Sequence, residues 1–135
     1  MRISIFRNGH FNAAHRLHNP NWSDVKNKSF FGLCNNPNYH GHNYEITVKI
    51  TGDIDEETGM LINLEELKHI IQLNVLDKLD HKNLNLDVPE FKVLNPTAEN
   101  ICYVIWQILR KNLEERFDIQ VRLYETPRNF VEFPA

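Results

Sequence analysis

Cysteine is scarce in this chain, and dense basic runs and long apolar stretches are missing. Only two cysteines occur in 135 residues, Cys34 in a polar segment and Cys102 in a helical pattern, which excludes a disulfide framework and leaves each thiol to be explained separately. No apolar stretch approaches the roughly 20 residues that cross a bilayer. Residues 1–10 hold no extended apolar block of the kind a signal peptide carries, so a cytoplasmic protein with no membrane partner is expected. A net charge of −3 without a clustered Lys/Arg face argues against a nucleic-acid partner, since such binding rests on neutralising phosphates. A small anionic substrate remains compatible through local charge. At 41% hydrophobic and 24% charged residues, composition is that of an ordinary globular protein, and residues 1–135 read as one domain with no repeat and no linker.

What is present is a regular pattern of elements. Tyr44, Ile46, Val48 and Ile50 alternate with Glu45, Thr47, Lys49 and Thr51, the period of a strand with one buried face. Residues 2–17 are rich in β formers but irregular at Asn8-Gly9, which predicts a long strand with a bulge. Asn63 is placed to cap a helix, with Glu66 completing a capping box and Leu64, Leu67, Ile71 and Val75 on one face, ending near Leu79. A loop over residues 80–96 follows. Thr97 then caps a second helix striped by Ile101, Val104, Ile105, Ile108 and Leu109 and running to about Arg116. Ile119, Val121 and Leu123, a turn at 126–129 and the β-prone residues 130–133 form a closing hairpin. The order ββααββ implies an α+β domain with both helices on one face of an antiparallel sheet. The polar face carrying Glu45, Thr47, Lys49, Gln120 and Arg122 is then either wet or turned towards other subunits of an oligomer.

Histidine is the outlier, with seven in the chain. Strand parity puts His40 and His42 on the same side as Tyr44 and Ile46, and His-x-His on a strand aims both rings at one point, where neutral imidazole suits zinc. His15, after two small alanines, is the expected third ligand, and three histidines with an open position make the catalytic form of a zinc site. Cys34 lies in a turn-rich loop at 31–39 leading into these histidines. An electropositive setting would make it a thiolate base or nucleophile, whereas the alternatives are a fourth structural ligand or an inert thiol. Asp80-His81 is either an acid/base pair or an ordinary helix-end feature. Glu125 continues the inward parity of β residues 119–123. It fits a ligand with two adjacent N–H groups, or alternatively a buried salt bridge to Arg16 or Arg128.

On these residues the whole chain resembles the 6-pyruvoyl tetrahydropterin synthase family. Phe11-Asn12-Ala13-Ala14-His15 looks like its first-ligand segment, residues 34–44 like its cysteine and paired-histidine motif, and residues 79–85 like its relay segment. Pro96-Thr97-Ala98-Glu99-Asn100 and Tyr124-Glu125-Thr126 look like its substrate-anchoring positions. The resemblance implies a tunnel-type fold (T-fold), with a four-stranded antiparallel sheet and two helices, three subunits closing a barrel and two rings forming a homohexamer with active sites between subunits. It implies a lyase that eliminates triphosphate from 7,8-dihydroneopterin triphosphate to give 6-pyruvoyl-tetrahydropterin. In that reading His15, His40 and His42 hold a Lewis-acidic Zn2+, Cys34, Asp80 and His81 move protons, and Glu125, Thr97 and Glu99 hold the pterin. Lys26, Lys28 and Arg16 are candidates for the triphosphate. Five residues between Cys34 and His40 resemble the pyruvoyl-forming branch more than the 6-carboxy-tetrahydropterin synthases of queuosine biosynthesis, although Asn95-Pro96 departs from the Ser/Thr usual before Thr97. A non-enzymatic module with a closed His3Cys zinc site is the rival of another class.

Overall fold

The computed structural model describes residues 1–135. Along the chain run β1 (Arg2–His15), α1 (Asp24–Phe31), β2 (His40–Asp53), α2 (Leu64–Ile71), α3 (Asp77–Leu79), β3 (Lys82–Asn83), α4 (Leu84–Asp87), α5 (Ala98–Asn112), β4 (Asp118–Thr126) and β5 (Asn129–Phe133). The strands form one sheet in the order β3-β1-β2-β4-β5. It is antiparallel except for β3, which adds a two-residue parallel rung at Ala13↔Lys82 and Ala14↔Asn83, so the four expected strands gain a short fifth.

The core follows from the alternation in β2. Tyr44, Ile46, Val48 and Ile50 point inward together with Ile119, Val121 and Leu123 of β4. Leu67, Ile71, Val75 and Leu79 cover them from one helical segment and Ile101, Val104, Ile105 and Leu109 from α5. Burying each such side chain contributes roughly 1.5–3 kcal/mol before the entropy of ordering it is counted. α2 passes through a widened π-type turn at 72–76 into α3, so the helix ends at Leu79 as its periodicity indicates. The cap residues are those the sequence places: Asn63 accepts from the N–H of Glu65 at 2.9 Å, without the reciprocal bonds to Glu66 of a capping box, and Thr97 from that of Asn100 at 3.2 Å.

Several expectations are corrected. β1 carries no bulge, since it pairs with β2 residue for residue from Arg2↔Asp53 to His15↔His40. Gly9 serves close packing instead, because a Cβ there would meet Leu76 Cδ1 at 3.2 Å. The register shift lies at Tyr124/Thr126, between β4 and β5. α5 stops at Asn112 rather than near Arg116, where Leu113 turns extended and the Arg110 guanidinium donates to the carbonyls of Leu113, Glu114 and Phe117. The loop at 80–96 contains β3, α4 and a 3-10 turn at 89–92. α1 was not anticipated. Its single buried residue is Asn27, whose carboxamide bonds to the Asn19 N–H and to the carbonyls of Asn19, Trp22 and Ser23, so a polar knot holds this helix in place of an apolar face.

The opposite sheet face is polar as expected: Glu45 is exposed and Thr47, Lys49, Gln120 and Arg122 are half-buried, with Arg122 paired to Glu132 at 2.7 Å. Exposed Phe6 lies on this strand surface beside Lys49, whose ammonium is 5.9 Å from the ring centre. No helix is long and apolar enough to cross a membrane.

Candidate metal and substrate site

The last rung of the β1–β2 ladder builds the centre of the site. His15 is the direct cross-strand partner of His40, and His42 stands two residues further along β2 on the same face. Ring centroids are 4.5 Å apart for His15–His40, 5.1 Å for His15–His42 and 5.0 Å for His40–His42. The small residues beside them allow this approach. A Cβ on Gly41 would come within 3.2 Å of the Ala13 carbonyl oxygen.

One nitrogen from each of the three rings lies within 4.8 Å of the other two. His15 is 1% exposed, and its Nδ1 donates to the Pro96 carbonyl at 2.8 Å, which leaves the Nε2 lone pair facing His40 Nε2 at 3.0 Å. His42 Nε2 is buried with no hydrogen-bond partner. Zinc–nitrogen bonds of about 2.0–2.1 Å set ligand nitrogens roughly 3.3 Å apart, close to this arrangement. Three converging nitrogens, one of them buried and unsatisfied, fit a metal ion better than they fit each other. The three histidines form this group without Cys34.

Burial, and then the neighbouring imidazoles of His40 and His42, hold His15 down to about 4 from 6.5, although its bond to Pro96 works the other way. Burial likewise lowers His40. Both rings are therefore neutral, as ligands must be, at physiological pH. Unfolding frees His15 to take a proton below 6.5, so between about 6.5 and 4 the unfolded chain binds more protons than the folded one. The metal-free protein is expected to lose up to about 3 kcal/mol as pH falls through that window. Thermal unfolding with a chelator, at neutral pH and at about pH 4.5, checks this against His15→Gln, which should flatten the slope; identical slopes would exclude His15 as the source.

Cys34 sits in a 3-10 turn at 32–35 and is half-buried. In the polypeptide alone burial and then the Glu125 carboxylate push the thiol up, so an electropositive setting for it depends on a bound ion. Cys102 packs inside the core with its thiol pushed up to about 11 by burial, as expected of an inert residue.

Glu125 makes no ion pair with Arg16 or Arg128. Arg16 instead donates from Nε to the Asn35 carbonyl at 2.9 Å, and His42 Nε2 lies 3.9 Å from Glu125 Oε1, beyond hydrogen-bond reach. The carboxylate thus remains open to a ligand, with 25% of its side chain exposed. Glu125, Thr97 and Glu99 line one cavity of about 570 Å³ whose apolar wall includes Leu17, Phe31 and Phe130. Arg16 and Lys28 line another, of about 520 Å³, against Leu33 and Asn35 on either side of Cys34. Lys26 lies 4.1 Å over the Trp22 ring and is absent from that cavity.

Asp80 and His81 form the second candidate pair. His81 has a left-handed backbone (φ 58°) and a ring whose side chain is 79% exposed, with Nδ1 2.9 Å from Asp80 Oδ2. The Asn12 N–H donates to Asp80 Oδ1 at 2.9 Å, a bond that holds the carboxyl below its ordinary range with help from His81. His81 shares a groove with Asn12, Gly41, His42 and Asn43, and Gly41, His42 and Asn43 also line a cavity with Glu125.

An α+β sheet domain whose two longest strands gather three histidines, a group that could hold a metal ion, at the end of their ladder belongs to the class of T-folds. Residues 4–135 match the family model described as 6-pyruvoyl tetrahydropterin synthase, and the chain belongs to that enzyme family. It is 43% identical to the human 6-pyruvoyl tetrahydrobiopterin synthase over 132 residues, 98% of this chain and 91% of that one. The solved 6-pyruvoyl tetrahydropterin synthase of Caenorhabditis elegans superposes with a TM-score of 0.93 at 39% identity, covering 100% of this chain and 96% of that one. A more distant relative, the dihydroneopterin monophosphate aldolase of Pyrococcus furiosus, is 31% identical over 114 residues, 84% of this chain and 80% of the relative.

Proposed function

We propose that this chain converts 7,8-dihydroneopterin triphosphate to 6-pyruvoyl-tetrahydropterin with elimination of triphosphate, using one zinc ion held by His15, His40 and His42. The observation that carries this is the convergence of three imidazole nitrogens, with buried His42 Nε2 unsatisfied, beside an unpaired Glu125 carboxylate and a free Cys34 thiol. A bound ion would supply Lewis-acid polarisation of the substrate side chain and a positive charge that favours a thiolate.

The chain's own residues divide the remaining work. Glu125 accepts the two adjacent N–H groups of the pterin's amino-pyrimidinone edge, a bidentate contact that fixes the ring. Thr97 and Glu99 border the same cavity. Cys34 takes a proton from the side chain, and Asp80 with His81 forms a second donor–acceptor pair. The reading places the relay of one subunit against the thiol of another, in a homohexamer of two stacked trimers. The polar sheet face then lines the interior of the barrel. Arg16 and Lys28, which line one cavity with the residues flanking Cys34, suit the triphosphate.

Incubating the pure zinc-loaded protein with 7,8-dihydroneopterin triphosphate and weighing the products tests the reading. Triphosphate release with every side-chain carbon retained is expected. Acetaldehyde, or any other loss of side-chain carbons, would instead assign the chain to a carbon–carbon-cleaving branch.

A further inference from the structure

Asn35 is buried in the middle of an exposed turn. Its exposure is 7%, whereas Leu33 is 93% exposed and Asn36, Pro37 and Asn38 also face solvent. A buried carboxamide persists only when its polar atoms are bonded, and both donors of this one are used. Nδ2 donates to the Leu17 carbonyl at 2.7 Å and lies 3.0 Å from His18 Nδ1. The backbone completes the bridge: the Leu17 N–H donates to the Cys34 carbonyl at 2.8 Å, and Arg16 Nε to the Asn35 carbonyl at 2.9 Å.

All four bonds run to residues 16–18, which leave directly from His15. That short segment is itself braced from the far side. Asn85 and Arg16 exchange two bonds, Arg16 N–H to Asn85 Oδ1 at 2.8 Å and Asn85 Nδ2 to the Arg16 carbonyl at 2.9 Å, and the His18 N–H donates to Asn95 Oδ1 at 3.1 Å. Since His15 Nδ1 is fixed on Pro96, the next residue after Asn95, the metal ligand and the 16–18 segment form one rigid block. The hydrogen bonds that join Cys34 to this block are those of its own carbonyl and of Asn35.

We infer that Asn35 is a positioning residue, holding the Cys34 thiol at a fixed distance from the ion-binding histidines, and this rests on the assignment of Cys34 as the proton acceptor above. Proton transfer is sensitive to placement, and a displacement of about 1 Å can cost roughly a hundredfold in rate. Asn27 provides a matched control: it is also a fully buried asparagine locking a loop, but its bonds go to residues 19, 22 and 23 and not to Cys34.

The test compares Asn35→Ala with Asn27→Ala in the zinc-loaded full chain. For Asn35→Ala, kcat should fall about 10- to 100-fold with KM within about threefold and metal content unchanged, and Cys34 should alkylate with iodoacetamide at least about fivefold faster. Asn27→Ala should lower Tm comparably but leave kcat and the alkylation rate within about twofold of wild type. If Asn35→Ala does not accumulate folded, Asn35→Asp, which keeps the volume but removes the donor, is measured against the same expectations. Equal effects of the two asparagines, wild-type turnover and thiol reactivity in the Asn35 variants, or loss of zinc from them would overturn the positioning role. A wild type that releases no triphosphate would refute the proposed reaction, while the alkylation comparison would still report whether Asn35 places the thiol.

Discussion

Replacing His42 with alanine is expected to abolish metal binding and to lower turnover by roughly 10³-fold or more, equivalent to about 4 kcal/mol of barrier. This is the cleanest of the three ligand substitutions. His15 is 1% exposed and fixed to Pro96, so its removal would leave a core void along with an empty coordination position. The His42 ring is only partly buried, and its Nε2 bonds nothing within the chain, so truncation removes a ligand while sparing the hydrogen-bond network. Metal analysis should fall from about one ion per chain to a trace, and the thermal stabilisation given by added zinc should vanish, since a ligand raises stability only through the native state it binds. A His42→Ala protein that keeps its metal and its turnover would dismantle the three-histidine centre.

Cys34→Ala should do the opposite to the metal and the same to the reaction. The thiol lies outside the histidine cluster, so the ion is expected to stay at full occupancy with Tm close to wild type. Turnover should drop by about 10²–10⁴-fold, the usual contribution of a positioned acid or base. Because Glu125 and burial raise the thiol in the bare polypeptide, iodoacetamide should react with Cys34 faster in the zinc-loaded protein than after chelation. Zinc loss on Cys34→Ala, or turnover preserved without the sulfur, would remove Cys34 from the chemistry.

The parts of the fold legible in the sequence are those that bury apolar surface with a simple period. Tyr44 to Ile50 announce β2, and the parity that makes Ile46 a core residue also turns His40 and His42 to one side, so the metal centre was readable together with its strand. The two main helices were readable for the same reason. α1 was not, because Val25 is 80% and Phe30 71% exposed, and the helix is fixed by one carboxamide that any turn would also accommodate. Asn8-Gly9 misled in the opposite direction, since glycine there makes room for Leu76 rather than bending the strand. At the site, sequence proposed Cys34 and Glu125 but not the bonds that surround them. The Asn35 clamp and the reciprocal Asn85–Arg16 pair join residues 19 and 69 positions apart, and asparagines in a turn-rich stretch give no sign of such partners.

The histidine centre occupies the terminal rung of a 14-residue ladder, where two strands part and where fraying would ordinarily begin. An ion held by His15, His40 and His42 would join the two strands there from the side-chain face, adding to the bonds that already fix His15, much as a clasp closes a zip. Amide hydrogens of residues 13–15 and 40–42 should therefore exchange with solvent markedly more slowly in the metal-loaded protein, while those at the Arg2↔Asp53 end keep their rate.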